Sequence, residues 1–181
     1  MKTIFSILIL FVTWSSYAQS AKVKINDDIT VLLPNEFRPM SDEELVTKFF
    51  SARKPIAAYT NYDRTVDFSV NETVTSWQNE DLPLMKSFYK SNIHNLYNEV
   101  QFLNEGIEEI NERDFAFFEF ISVVKDDESS FNKKGNILKY TYIQYTLKDG
   151  KTVLFHFSCP ERDKEDWKPV ASGIMKSVKI K

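Results

Sequence analysis

The pattern of hydrophobic positions splits the chain into an apolar opening and a longer stretch in which periods of two alternate with periods of three to four. Behind a single cationic Lys2 runs the apolar segment Ile4 to Val12, and Ser16-Tyr17-Ala18 follows it. That layout is expected of a cleavable secretory signal over residues 1–18, cut between Ala18 and Gln19. The run is too short for a permanent anchor, and no later segment approaches the roughly 20 apolar residues of a spanning helix.

From Gln19 onward the pattern predicts a short entry at Val23 to Ile25 and then a strand over Ile29 to Leu33 that stops at Pro34. Ser41 with Glu44 three residues on is a capping box, and Met40 and Leu45 occupy the staple positions around it. The helix that follows is expected to bury Leu45, Val46, Phe49 and Phe50 and to end by Ser51. Ile56 to Asn61 and Thr65 to Val74 read as a hairpin turning at Tyr62-Asp63-Arg64, with Val66, Phe68 and Val70 alternating against polar neighbours.

A second helix, with Asp81 as its cap and Pro83 in its first turn, carries Leu82, Met85, Tyr89, Ile93 and Leu96 on one face. Val100 to Leu103 and Gly106 to Ile110 form a weaker, charged strand region. Phe115 to Val124, Ile137 to Thr146 and Thr152 to Cys159 then read as an antiparallel meander, with a tight turn at Lys148-Asp149-Gly150-Lys151. Phe115 and Phe117 alternate with Phe118 and Phe120, so this strand is expected to be covered on both faces. A charged loop spans Lys125 to Lys134. A last helix near Asp163 to Met175, with Trp167, Val170, Ala171 and Ile174 on one side and Pro169 in its first turn, precedes an edge strand at Val178 to Ile180.

Strands joined by short turns, with helices near the start, middle and end, predict an α+β fold: an antiparallel sheet flanked by helices, as one domain over residues 19–181. Loss of residues 1–18 removes only Lys2, leaving 22 basic against 26 acidic side chains, a net charge of −4. A mildly acidic surface is a poor match for nucleic acid. The single cysteine, Cys159, excludes an internal disulfide, and it ends an apolar alternation as a small buried hydrophobe would. No cysteine stands at Ala18-Gln19-Ser20, so no lipid anchor is expected there.

Chemistry-bearing residues are few. The histidines are His94, placed off the apolar stripe of its helix, and His156, three positions from Cys159 on a strand and therefore on the opposite face. They give no metal pair. Asp126-Asp127-Glu128 lacks the ligand spacing and glycine of a dedicated calcium loop, and Glu105, Glu108, Glu109 and Glu112 read as an exposed strand edge. Asn71-Glu72-Thr73 matches a glycosylation acceptor by sequence alone. No catalytic, cofactor or metal residues are assigned, and the chain is read as non-enzymatic. The one compositional excess is aromatic: Phe115, Phe117, Phe118, Phe120, Tyr140, Tyr142, Tyr145, Phe155 and Phe157 fall close together. They are core first, but any part that the helices leave uncovered would be a contact surface. Phe118, Phe120, Tyr140, Tyr142 and His156 are the candidate residues of such a surface.

The order of features from Ile29-Pro34 through Met40-Ser41, Tyr59-Thr60-Asn61, Asp81-Leu82, Ile110-Asn111, Tyr140-Thr141-Tyr142 and Trp167 to Ser177 resembles the PsbP-like superfamily, including its DcrB-like exported bacterial domains of unknown function. The resemblance implies an α/β/α sandwich and a binding or assembly role without catalysis. The resulting expectation is an exported bacterial protein, periplasmic or secreted, that serves a protein partner in the cell envelope. Its rival is a small ligand- or lipid-binding protein, or a hydrolase, using a cleft near His156 and the 125–134 loop.

Overall fold

The computed structural model describes residues 19–49, 54–74, 77–124 and 136–181. The predicted signal, Phe50 and the charged loop at 125–134 lie outside these residues. Among the described residues, ten strands and three α-helices follow one another as β1 Ser20–Lys24, β2 Ile29–Pro34, β3 Arg38–Pro39, α1 Asp42–Lys48, β4 Ala57–Thr60, β5 Asp67–Val74, α2 Leu82–Leu96, β6 Glu99–Ile110, β7 Arg113–Val124, β8 Ile137–Lys148, β9 Lys151–Pro160, α3 Lys164–Lys176 and β10 Lys179–Ile180. Seven strands form one sheet in the order β3-β4-β5-β9-β8-β7-β6, and β1-β2-β10 form a second. Every pairing in both sheets is antiparallel.

The meander is held by turns whose residues suit them. Lys148 pairs with Lys151 across Asp149 and Gly150, both at positive φ (50° and 70°), the two-residue turn whose twist matches the strands it joins. Asn111 and Glu112 do the same between Ile110 and Arg113. Asn111 also donates from Nδ2 to the Val178 carbonyl at 2.7 Å, tying this hairpin to the C-terminal segment. In the β4–β5 turn, buried Asn61 accepts at Oδ1 from the Thr65 and Val66 N–H groups at 2.9 and 3.1 Å.

Strand alternation sends two sets of apolar side chains to opposite faces of the large sheet. One set, from Phe68, Phe115, Tyr140, Phe155 and Phe157, meets β2 and the Ala171, Ile174 and Met175 side of α3. The other, from Phe118, Phe120, Ile143, Tyr145 and Leu147, meets Leu82, Met85 and Ile93 of α2. The result is three layers, with the antiparallel sheet in the middle, as expected for an α+β chain.

Three local expectations are corrected. Helix α1 buries no residue fully, and Val46 is 65% exposed; the helix docks through Lys48, which donates to the Arg64 carbonyl and to Asp67 instead of inserting an apolar stripe. Asp81 does not cap α2, because its carboxylate turns back to the Gln78 N–H at 2.9 Å. Pro169 falls inside α3 rather than in its first turn; it is exposed there, so water can serve the carbonyl that its missing N–H leaves unbonded. The last strand, β10, is an edge strand as expected, and it pairs with β2 in the small sheet.

Candidate functional site

β7 carries the densest aromatic run in the chain, Phe115-Ala116-Phe117-Phe118-Glu119-Phe120, and a carboxylate interrupts it. By alternation Glu119 shares a face with Phe115 and Phe117, the face toward α3. Its side chain is 8% exposed, and Lys168 of α3 brings Nζ to 3.0 Å from Oε2. A charge so placed costs desolvation free energy that a paired cation offsets in part.

The neighbouring strand adds two phenols on the same face. Tyr142 stands opposite Glu119 in register and donates its hydroxyl to Glu108 Oε1 at 3.1 Å. Tyr140 stands opposite Ile121, and its buried hydroxyl has no hydrogen-bond partner. Burial, reinforced by Glu119 beside Tyr140 and by Glu108 beside Tyr142, pushes both phenols far above their ordinary range, so both remain protonated donors.

Beyond this cluster the layer above the sheet thins. Helix α3 packs on β8, β9 and β2, so the outer strands β6 and β7 present Leu103, Phe117 and Ile121 only half-covered. Gly106 keeps this flank flat: a Cβ there would lie 2.9 Å from Phe117 Cε1. The flank thus combines a strip of apolar side chains with a fixed ion pair and a phenol–carboxylate bond at its margin. Such a surface can hold a partner by burial and orient it by polar contacts.

The residues singled out from the sequence are placed differently. Phe118 and Phe120 lie fully buried beneath α2, and Tyr140 and Tyr142 are buried on the α3 face. This burial agrees with the reading of these rings as core and leaves them no exposed part to serve as a contact surface, because helices cover both faces of the meander where they project. His156 lies on the α2 face between Ser69 of β5 and Ile143 of β8 and is partly buried. Desolvation, with Lys139 adding to it, lowers its pKa to about 4, so the imidazole is neutral at physiological pH. Cys159 faces the other way, into the α3-side core, and burial followed by the nearby Asp163 and Glu161 pushes its thiol up to about 12. Neither is a nucleophile poised for chemistry. Among the described residues, no three His, Cys, Asp or Glu side chains are grouped to hold a metal.

The expected acidic edge is also only partly an edge. Glu105 is bound by Lys86 and Lys90 of α2 at 2.8 and 2.7 Å, and these bonds, Lys86 first, lower its pKa. Glu119 and Lys168 went unnoticed in the sequence. The available signal was a lone carboxylate within an aromatic strand, which alternation must bury.

No family model matches the chain, and no curated protein does. Solved structures do match in shape. Cyanobacterial PsbP (CyanoP) from Synechocystis sp. superposes with a TM-score of 0.64 at 12% identity, over 93% of this chain and 96% of that one. LpqN, described as involved in cell envelope biogenesis of Mycobacterium tuberculosis, gives 0.56 at 9% identity over 90% of each chain. The Saccharomyces cerevisiae Ran-binding protein Mog1p gives 0.56 at 10% identity over 90% of this chain and 96% of that one. Likeness across nearly the whole length, at such low identity, establishes architecture: the chain has the PsbP-like fold.

Proposed function

We propose that this chain is an exported, non-enzymatic binding domain that serves a protein partner in the cell envelope, and that the flank of the sheet beside α3 is its contact surface. The observation that carries the reading is the thinning of the covering layer over β6 and β7, where Leu103, Phe117 and Ile121 stay half-covered next to the Lys168–Glu119 pair. A partner that lays apolar side chains on this strip would bury surface left wet in the free domain, gaining about 25 cal/mol per Å².

Location and mode of action draw on separate support. The apolar segment Ile4 to Val12 behind Lys2, with Ala18 before Gln19, has the form of an export signal. Among the described residues no helix is long and apolar enough to cross a membrane. Structures of this shape include a protein named for binding Ran and one described in envelope biogenesis, which fits a fold used as a surface more than as a reaction vessel.

Two experiments test the proposal. Amino-terminal sequencing of the processed protein should give Gln19 as the first residue. Affinity capture by the mature domain from envelope extract should retain a partner that Phe117→Glu releases and Phe88→Glu, on the outer side of α2, does not. Equal retention by both variants would move the surface elsewhere.

A further inference from the structure

The small sheet of β1, β2 and β10 turns Val23, Ile29 and Val31 toward the core. Alternation therefore sends Lys22, Thr30, Leu32 and Lys179 to its outer side, where the register sets Lys22 opposite Leu32 and Thr30 opposite Lys179. Lys176, the last residue of α3, joins them, and with Asn111 these side chains line a hollow of about 190 Å³.

The charge of this hollow is one-sided. Lys22, Lys176 and Lys179 are exposed, no carboxylate lines the hollow, and among the described residues none forms an ion pair with any of the three. A wider groove of about 730 Å³ shares Lys22, Thr30, Asn111 and Lys179, and acids enter the lining only there, as Asp27, Asp28 and Glu112. Two of these are already engaged, Asp27 by Lys24 at 2.6 Å and Asp28 by Lys148 at 3.1 Å. Carbonyls at the end of α3, which would repel an anion, are occupied as well. The Ser177 N–H donates to the Gly173 and Ile174 carbonyls at 3.1 Å, and Asn111 Nδ2 to the Lys176 carbonyl at 3.4 Å. In a chain of net negative charge, three ammonium groups thus face one space without a counter-charge.

The lining also says which anion fits. It holds no arginine, so nothing presents the planar fork that matches a carboxylate, whereas lysine ammonium groups act as point charges and can converge on a tetrahedral oxyanion. Three positive charges favour a dianion over a monoanion. Thr30 adds a hydroxyl donor that no described residue engages. Leu32, 44% exposed, borders the same space and offers the carbon part of an ester an apolar contact. Room is sufficient, since a cavity of about 150 Å³ already accepts benzene.

We propose that this hollow is a binding site for a phosphomonoester, its dianionic phosphoryl group held by the ammonium groups of Lys22, Lys176 and Lys179 and by the Thr30 hydroxyl. The site lies on the small sheet, away from Leu103, Phe117 and Ile121, so it stands or falls separately from the partner-binding reading.

Titration of the processed protein with glycerol 3-phosphate at constant ionic strength, followed by amide NMR, tests the site. Saturable shifts at Thr30 and Lys179 are expected, with acetate binding about tenfold more weakly. Lys22→Gln and Lys179→Gln, both at exposed positions, should each weaken binding about fivefold, and the double variant should abolish it, while Lys54→Gln should change nothing. Sedimentation with phosphatidylcholine vesicles that carry phosphatidic acid separates the sources of the phosphomonoester. Retention that the double variant loses assigns a lipid headgroup, and no retention beside intact glycerol 3-phosphate binding assigns a soluble ester. Binding of neither probe, equal affinity for acetate and glycerol 3-phosphate, or undiminished binding in the double variant would overturn the proposal.

Discussion

Lys168 of α3 places its ammonium 3.0 Å from Oε2 of Glu119, a carboxylate set into the aromatic strand β7. The pair links the helix layer to the sheet at the margin where the covering layer ends. Lys168→Ala leaves the Glu119 charge in a site built to exclude water, and the expected cost is about 2 kcal/mol. Adding Glu119→Gln removes the stranded charge. The double variant should therefore be more stable than Lys168→Ala alone, and urea denaturation of the four proteins in the cycle measures the difference.

Gly106 allows β6 to lie against the face of Phe117. Gly106→Ala brings a Cβ to 2.9 Å from Cε1 of that ring, and the ring must swing outward to relieve it. A loss of about 1 kcal/mol is expected, at the low end for overpacking because Phe117 is only half-covered. Gly106→Ala with Phe117→Leu should recover most of it in thermal unfolding. A Gly106→Ala variant as stable as wild type would show that the strand is not held flat in this way.

His156 gives the fold a predictable acid response. Its pKa is lowered to about 4 from an ordinary value near 6.5, so the unfolded chain takes up a proton over a range in which the folded chain does not. The stabilisation from keeping the imidazole neutral is present above pH 6.5 and is lost as pH falls toward 4, on the order of 3 kcal/mol in full. His156→Gln should flatten the stability profile between those limits. The check is chemical denaturation of both proteins at several pH values; parallel profiles would contradict it.

The α1 capping box is reinforced from outside the helix. The Ser41 N–H donates to Glu44 Oε2 at 2.8 Å and the Glu44 N–H to Ser41 Oγ at 3.3 Å, while Arg38 grips the same carboxylate through two bonds of 2.8 and 2.7 Å. The Arg38 bonds first, then the Ser41 N–H, hold the Glu44 carboxyl down at about 2. Ser41→Ala should cost about 1 kcal/mol. Because the folded pKa is depressed, the Glu44 contribution is present above pH 4.5 and fades toward pH 2; Glu44→Gln should lose it at neutral pH and show no further loss across that window.

Much of this was legible in the chain because local chemistry and fold agree. The Asp149-Gly150 turn, the alternation of β5, the two-faced aromatics of β7 and the Ser41-Glu44 box each need only near neighbours to specify them. The misread positions depend on contacts distant in sequence. Lys48 docks α1 because Asp67 and the Arg64 carbonyl lie within reach, and nothing within α1 records that. That Phe118 and Phe120 are covered was readable from the two-faced aromatics of their strand, but how far the cover extends was not, since that depends on where α2 and α3 come to rest. The flank that α3 leaves open is a difference between the width of a sheet and the width of the layer above it, a quantity no local pattern carries.

The central claim is that this flank is where a partner binds, and site-specific photo-crosslinking in the cells that make the protein tests it most directly. A crosslinker placed at Ile121 should capture one discrete envelope protein, the Phe117→Glu change should abolish that product, and a crosslinker at Phe88 should not form it. A product captured equally from Phe88, or one from Ile121 that survives Phe117→Glu, would contradict the account.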